Sequence, residues 1–238
     1  MHHYSQSWPA IRLAMGLIDV ETPGPYGGAL VGVVALGIPM HRNVLTGVFP
    51  RLEPYRQALE LSRLVLLDEV PANAESWFTA RAFRLAAAYG IRGIVAHSDP
   101  HPRIRRGKSG LPEQVHPGHW GTVYQALGMH YLGRTRSRRL IVLPDGSVLT
   151  DRVKSKIHRN EPGHVGAERR LQTFGARPRD EGEPGVAWLA EALHTIGATV
   201  LDHRGNHRYA LPIGPRSGRP VLTHSAYPYP KKDQQAAA

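Results

Sequence analysis

The sequence predicts a mixed α/β fold, in which a mostly antiparallel central sheet contains one splayed parallel pair of strands and is flanked by helices. Apolar runs of strand length, rich in Val and Leu and bounded by Pro or Gly, recur in the first part of the chain. Segments with apolar residues at helical spacing separate them. One such segment joins two strands, and a strand–helix–strand unit places its strands parallel through a right-handed crossover.

The first two predicted strands are apolar runs that each end at a proline. Residues 28–39, GALVGVVALGIP, are closed by Pro39 and predict a strand buried on both faces. Residues 59–70, LELSRLVLLDEV, predict a longer strand that Pro71 ends.

A helix and a third strand follow. The helix begins at Glu75 and runs to about residue 89, because its apolar residues recur at helical spacing and Gly90 supplies a C-terminal stop. Residues 91–97, IRGIVAH, predict a strand parallel to 59–70.

The next stretch predicts a loop, a short helix and a bent strand. A Gly-, Pro- and Arg-rich loop covers 99–119, and a helix covers 120–128. Residues 129–143 alternate in part and predict a strand or a bent strand pair. Pro144-Asp145-Gly146 is a turn signal.

The chain after this turn predicts a basic helical insertion and a tail. Residues 151–160 are basic, 163–174 and 186–196 predict helices, and TVLDH with HRYALPI predicts a hairpin around Arg204-Gly205-Asn206. We therefore expect a single domain over 1–214, with the insertion at 144–203, and an extended or disordered tail over 215–238.

Composition narrows the function classes. Lys and Arg number 30 against 19 Asp and Glu, and the sequence pI is about 10.3. Such a charge predicts a polyanion partner, the alternative being a generally basic protein. The chain has no cysteine, which excludes disulfides, Cys-ligated zinc, iron–sulfur clusters and thiol nucleophiles. No apolar run has membrane-spanning length and no secretion signal is present, so we expect a cytoplasmic protein without a membrane partner.

The order of elements matches the core of the GNAT acyltransferase superfamily, and several segments are similar to a narrower group. The segments, which span residues 3–214, are His3-Tyr4-Ser5, LVGVVALGIP, LSRLVLLDEVPANAESWFTARAFRL, IVAHSDP, GTVYQALGMHYLGRT, VKSKI and GNHRYALPIG. They resemble the Mom-type DNA-modification proteins of bacteriophages, a divergent GNAT-like family. The resemblance implies an enzyme that converts adenine of phage double-stranded DNA to an N6-carbamoylmethyl form, which protects the DNA against host restriction.

The start of the 75–89 helix departs from the GNAT pattern. GNAT enzymes carry a Gly-rich pyrophosphate loop before this helix, whereas residues 70–75 here read VPANAE. Asn73, Glu75 and Ser76 are the candidate cofactor-binding residues, since helix N-termini bind anions. Glu75 would repel a phosphate, or it serves only as a helix-dipole partner. Two donors are therefore candidates. Acetyl-CoA is the donor that the GNAT resemblance implies. An activated glycine such as glycyl-tRNA is the other, because an N6-carbamoylmethyl group has the same atoms as an N6-glycyl group.

Five residues are the catalytic candidates. The resemblance places Tyr124 where many GNAT enzymes have a tyrosine acid, with a core tyrosine as the alternative. Ser98 and Asp99 end the third strand, where ligands of open α/β sheets bind, although Asp99 before Pro100 is also a common turn former. The family resemblance adds His3 and Tyr4, which with Tyr124 or Asp99 would form a ligand set suited to iron. No local motif such as HExxH indicates a metal, so the metal stays unknown.

Basic residues around these candidates predict DNA contacts. The candidate phosphate-binding residues are Arg103, Arg105, Arg106, Lys108, Arg134, Lys154, Lys156 and Arg159. The alternative is a solvated charged face. The rings of Trp120, Tyr131, His207 and Tyr209 would stack on an extruded adenine, with core packing as the alternative for the two tyrosines.

Three functions remain open at this stage. The first is a DNA adenine-modifying transferase, with tRNA as a further partner if glycyl-tRNA is the donor. The second is an acetyl-CoA-dependent N-acyltransferase acting on a small amine, a protein or a modified base. The third is a DNA-binding accessory protein with a degenerate core. A homodimer is the commonest oligomer and is expected only on that basis.

Overall fold

The structure is a computed structural model that describes residues 9–71, 73–106 and 111–231. The strands in this part of the chain are β1 (Ile11–Asp19), β2 (Ala29–Gly37), β3 (Ala58–Leu66), β4 (Gly93–Ser98), β5 (Arg103–Arg106), β6 (Pro112–His116), β7 (His130–Arg134), β8 (Arg138–Val142), β9 (Val148–Leu149), β10 (Thr199–His203) and β11 (His207–Pro212). The helices are α1 (Asn43–Thr46), α2 (Ala74–Ala88), α3 (Thr122–Ala126), α4 (Asp151–Arg159), α5 (His164–Gln172) and α6 (Gly185–Thr195).

The described chain forms two compact units. The first contains residues up to 100, 119–135 and the chain from 206 onward, and the second contains 101–118 and 136–205. The predicted insertion at 144–203 lies wholly within the second unit.

The first unit is built on a six-stranded sheet with the order β1-β2-β3-β4-β11-β7. Its strand pairs are antiparallel except β3 and β4, which are parallel and joined by the crossover helix α2. This arrangement confirms the predicted fold class. Helix α2 forms where the sequence places it, because Phe78, Ala82 and Phe83 recur at helical spacing and are buried against the sheet.

The parallel pair splays apart partway along its length. Pairing joins Ala58–Glu60 to Gly93–Val95, whereas β3 continues to Leu66 and β4 to Ser98. Within the described residues, the two strands therefore part beyond Glu60 and Val95 and leave an opening in the middle of the sheet.

The sheet has two different faces because successive strand residues point to opposite sides. On one face Leu59, Ile94 and Tyr209 belong to the core that contains α2 and α3. On the other face Ala58, Val95 and Ala210 pack with Leu45 and Phe49 in and after α1. The splayed strands thus have an aromatic core on one side and a separate apolar cluster on the other.

The second unit has its own core. Strands β10-β8-β9 form a three-stranded sheet and β5-β6 form a hairpin. Helices α4, α5 and α6 supply the largest buried residues, Ile157, Leu171 and Trp188. The basic segments at 151–160 and 163–174 therefore belong to packed amphipathic helices.

Four sequence expectations need correction in this fold. The TVLDH and HRYALPI segments are not a hairpin, because β10 pairs with β8 and β11 pairs with β4 and β7. The 129–143 segment divides into β7 and β8 of different sheets, and the 99–119 loop contains the β5–β6 hairpin. The 59–70 strand ends at Leu66.

The first strand was not predicted, although its signal is present. Ile11, Leu13, Met15 and Leu17 alternate with less apolar residues along β1. Only half of its residues face the core, so β1 lacks the continuous apolar run that marks β2.

The tail over 215–231 contains no helix or strand among its described residues, and it is tied to the first unit. Thr223 Oγ1 donates to the Gly47 carbonyl at 2.8 Å, and the Tyr227 N–H donates to the Tyr131 carbonyl at 2.9 Å.

Candidate active site

Tyr209 is the centre of a buried aromatic cluster on the α2–α3 face of the sheet. Its side chain is fully buried, and its hydroxyl donates to the Trp120 carbonyl at 2.7 Å. The Gln125 amide donates to the same hydroxyl at 3.4 Å. The Tyr124 ring lies 5.3 Å from the Tyr209 ring, centroid to centroid. These contacts hold α3 and the residue before it against β11.

The proton of Tyr209 is retained at neutral pH. Burial raises the pKa of Tyr209 to about 12, while the hydrogen bond from Gln125 acts in the opposite direction. Ser98 is itself buried and lies opposite His207 at the end of β4, which puts it on the Tyr209 face. The sheet thus presents hydroxyl groups at the carboxyl end of β4, where ligands of open α/β sheets bind.

A second buried pair adjoins this cluster. The Tyr131 hydroxyl lies 2.8 Å from His207 Nδ1, and both residues are buried. Burial raises the pKa of Tyr131, so its phenol keeps its proton at neutral pH. The Trp120 ring lies 5.3 Å from the His207 ring. Trp120 is partly exposed and forms the outer part of the cluster.

The loop before α3 brings Asp99 and Tyr124 into one region. The His119 N–H donates to the Asp99 carbonyl at 2.6 Å, and the His119 ring lies 5.4 Å from the Tyr124 ring. His119 Nδ1 accepts the Gly121 N–H at 3.2 Å. Because Nδ1 is the acceptor, a neutral His119 carries its proton on Nε2 and is a donor there.

The opposite face of the splay carries a carboxylate–histidine pair. Glu60 Oε1 lies 2.9 Å from His97 Nδ1, and their side chains are 23% and 17% exposed. Arg208 lies directly across from His97 on β11, and it donates to the Leu132 carbonyl at 3.3 Å. Glu60, His97 and Arg208 therefore form a polar row across β3, β4 and β11, on the side of the sheet away from Tyr209.

Comparison with known proteins places the chain in a family. The model of the Mom protein family matches residues 1–231, nearly the whole chain. The chain belongs to the Mom protein family. None of the curated protein sequences compared with this Mom family member matches it.

Solved structures give weaker similarities. A Bacillus subtilis acetyltransferase in complex with CoA is 12% identical with a TM-score of 0.32, over 79% of this chain and 72% of that one. A tandem GNAT protein from the clavulanic acid biosynthesis pathway, without AcCoA, is 10% identical with a TM-score of 0.37, over 79% and 81%.

The predicted catalytic residues of this Mom family protein are partly assembled by the fold. Ser98, Asp99 and Tyr124 lie in one region, with Ser98 and Tyr124 buried and Asp99 at intermediate exposure. His3 and Tyr4, and the iron site that would use them, lie outside the described residues.

Among the described residues, the start of α2 offers few groups for the pyrophosphate of acetyl-CoA. Pro71 has no N–H, and the Ala74 N–H already donates to the Pro71 carbonyl at 2.8 Å. Asn73 makes no side-chain cap, its carbonyl accepts from Ser76 Oγ at 3.2 Å, and Glu75 is exposed in the first turn. A pyrophosphate at a helix N-terminus is bound by backbone N–H groups, and the negative charge of Glu75 opposes it.

Several predicted DNA-binding residues of this family member are engaged by carboxylates. Arg105 donates two hydrogen bonds of 2.8 Å to Glu113, and Lys154 lies 2.5 Å from Asp151. Arg159 lies 4.0 Å from Glu161. Lys156 has no ion pair among the described residues. Arg103 and Arg134 are partly exposed, and Lys108 and the Arg106 side chain lie outside the described part of the chain.

Sequence reasoning missed Glu60 and Gln125, and it interpreted His97 as one of several loop histidines. Their pairings join residues distant in sequence, with His97 contacting Glu60 and Gln125 contacting Tyr209, so no local motif marks them. Tyr131 and Tyr209 are buried within the cluster, as the core-packing alternative expects, and the His207 ring is buried there as well. Trp120 alone among the four proposed rings is partly exposed.

A cleft of about 520 Å³ lies in the second unit, between the end of α4, α5 and the start of α6. Its polar lining is satisfied internally: Arg179 donates to Glu168 at 3.0 Å and to Asn160 at 2.8 Å, and His164 Nδ1 lies 3.1 Å from Glu168. These contacts link the helices of the unit, and they account for the buried charges there.

Proposed function

We propose that the protein is a DNA-modifying transferase that places an aminoacyl-derived group on adenine N6, giving the N6-carbamoylmethyl (glycinamide) form. Membership of the Mom family carries the proposal, since the family resemblance implies modification of phage DNA. The cluster of buried hydroxyls and histidines at the end of β4 supports group transfer at this position.

The target amine must leave the duplex before it can react. Extruding a base costs a few kcal/mol of unstacking, which is regained by contacts in the enzyme. Trp120, partly exposed over His207, offers a flat surface at the edge of the cluster. The net charge of +11 supports binding of the phosphate backbone.

The transfer step requires a donor with a good leaving group, and we infer an activated glycine ester. Adenine N6 attacks the glycyl carbonyl carbon, the N6–C bond forms with loss of one N6 proton to solvent, and the C–O bond to the donor breaks. The leaving oxygen takes a proton from the Tyr124 hydroxyl, and water returns a proton to Tyr124. The glycyl amine then attacks purine C6 through a five-membered ring, and cleavage of the original C6–N6 bond gives the carbamoylmethyl isomer with no change in atoms.

Comparing donors in one assay tests this function. Purified protein is incubated with duplex DNA and either glycyl-tRNA or acetyl-CoA, and the nucleosides are then analysed by mass spectrometry. We expect adenine to gain the mass of one glycyl residue with glycyl-tRNA. An acetyl gain with acetyl-CoA would establish the acyltransferase alternative, and unmodified adenine with both donors would contradict the transferase assignment.

A further inference from the structure

We propose that His97, oriented by Glu60, accepts the proton of the attacking amine in this transfer. The inference rests on the proposed function and adds two residues to it. His97 and Ser98 are consecutive at the end of β4, so their side chains lie on opposite faces of the sheet. The aromatic cluster and the Glu60–His97 pair therefore border the same opening from its two sides.

The Glu60–His97 pair lies at the point where β3 and β4 separate. Glu60 is the last residue of β3 paired to β4, and His97 lies two residues beyond Val95, its pairing partner. The 2.9 Å contact between Glu60 Oε1 and His97 Nδ1 thus spans the two strands where their backbone pairing stops. Tyr209 and Ser98 lie on one face of the sheet at these separated strands, and His97 lies on the other.

The pairing also determines which ring nitrogen of His97 is basic. A carboxylate accepts only from a protonated nitrogen, so Glu60 holds the proton of neutral His97 on Nδ1. The lone pair is then on Nε2, at the far side of the ring from Glu60. A carboxylate in this role fixes the tautomer and orientation of the ring and stabilises the imidazolium that forms.

The reaction needs a base because adenine N6 is a weakly nucleophilic amine. As the N6–C bond forms, N6 becomes positively charged and must lose a proton before the leaving oxygen departs. That proton moves to His97 Nε2 and then to water, while the leaving oxygen takes its proton as described above. Glu60 is a positioning residue in this scheme.

Substitution with chemical rescue tests the inference. In His97→Ala, transfer to DNA should fall by about 10²–10⁴-fold, the usual contribution of general acid–base catalysis. Added imidazole should restore part of the activity, because it replaces the missing base and not a packing contact. Glu60→Gln should lower transfer by about tenfold or more with unchanged DNA affinity, since a carboxamide holds the tautomer poorly.

The matched control is His130→Ala, which removes an exposed histidine on β7 and should leave transfer unchanged. Where His97→Ala does not fold, His97→Gln is measured instead. The ¹⁵N shifts of His97 in the wild type should report the Nδ1–H tautomer, and that preference should weaken in Glu60→Gln.

The outcomes separate the inference from the proposed function. An active wild type with undiminished transfer in both His97 variants overturns the role of His97 and leaves the proposed function intact. Loss of transfer without imidazole rescue, together with an Nε2–H tautomer, also overturns it. A wild type that leaves DNA unmodified with every donor overturns the proposed function, and this role with it.

Discussion

At the residue scale, the site depends on buried phenols, and burial raises the pKa of two of them, Tyr131 and Tyr209. Tyr124, Tyr131 and Tyr209 are each less than 10% exposed and pack ring against ring. A buried phenol is a poor base and a good hydrogen-bond donor, because loss of its proton would leave a charge in an apolar environment. Each of these hydroxyls can contribute both to the stability of the fold and to the reaction. Tyr→Phe variants, which remove only the hydroxyl, measure the two contributions separately.

Tyr124→Phe tests the chemical contribution. The variant keeps the ring and its contacts and loses only the hydroxyl, so the free energy of unfolding should change by about 1 kcal/mol. Adenine modification should fall by at least about a hundredfold if Tyr124 is the acid. DNA affinity should be unchanged. A less stable variant that modifies adenine normally would assign Tyr124 to the core alone.

Tyr209→Phe tests the burial of its hydroxyl through pH. The pKa of Tyr209 rises from 10.0 to about 12 on folding, so the folded state holds the proton more tightly than the unfolded state. The resulting stabilisation is fully present below pH 10.0 and is lost as pH rises through about 12. Wild type should lose up to about 2–3 kcal/mol of its stability relative to Tyr209→Phe across this interval.

Denaturant unfolding of both proteins below and above that interval measures the effect. The difference between the two free energies of unfolding should shrink at high pH. A difference that stays constant with pH would mean that the Tyr209 hydroxyl titrates as it does in the unfolded chain.

At the element scale, α3 is short and depends on how it begins. Gly121 precedes the helix with a φ of 74°, and a Cβ there would lie 2.6 Å from Tyr209 Cε2. The glycine thus allows both the left-handed backbone and the close approach of Tyr209 to the Trp120 carbonyl. This helix start positions Tyr124.

Gly121→Ala should therefore destabilise the protein by about 2–4 kcal/mol, combining backbone strain with the steric overlap. Gly128→Ala is the matched control, because Gly128 also has a positive φ, 67°, and a Cβ there meets nothing within 4 Å. The control should cost about 1–2 kcal/mol. Thermal unfolding compares them, and equal losses would contradict close packing at Gly121.

The elements also show which parts of the fold the sequence can predict. The apolar run of β2 and the helical spacing of α2 are local signals, and both elements form close to their predicted bounds. Ser98, Asp99 and Tyr124 were predicted from strand ends and family resemblance, and the fold brings them into one region. Pairing between distant residues has no such signal, so the partners of β10 and β11 and the Glu60–His97 contact emerge only from the structure.

At the scale of the whole molecule, only part of the excess positive charge is available to bind DNA phosphates. Many basic residues of the second unit are paired with carboxylates, as in the contacts of Arg177 with Glu183 and Glu191. A paired cation must leave its carboxylate before it can bind a phosphate. DNA contact should therefore depend on basic residues whose charge has no nearby partner.

Two lysines of α4 test this distinction. Lys156→Ala should lower the slope of log affinity against log salt by about 0.9, the value for one lost phosphate contact. Lys154→Ala should lower it less, because Lys154 is held by Asp151, whose pKa it lowers. Affinities for duplex DNA over a range of salt measure both slopes. Equal unchanged slopes would place this face of α4 away from DNA.

The tail covers part of one edge of the six-stranded sheet. Strand β7 is the last strand of the six-stranded order, and Tyr227 forms a β-bridge to Tyr131 along its outer side. Tyr229 adds a hydrogen bond from its hydroxyl to the Met129 carbonyl at 3.0 Å. An uncovered strand edge is a template for pairing with other chains.

Removing the chain after residue 214 should expose that template. We expect the shortened protein to self-associate with increasing concentration, as measured by light scattering, while the full chain at the same concentration does not. A shortened protein with unchanged scattering would show that β7 is protected without the tail. If the shortened protein self-associates, a segment that contributes nothing to the chemistry of the site keeps the protein monomeric by covering a strand edge.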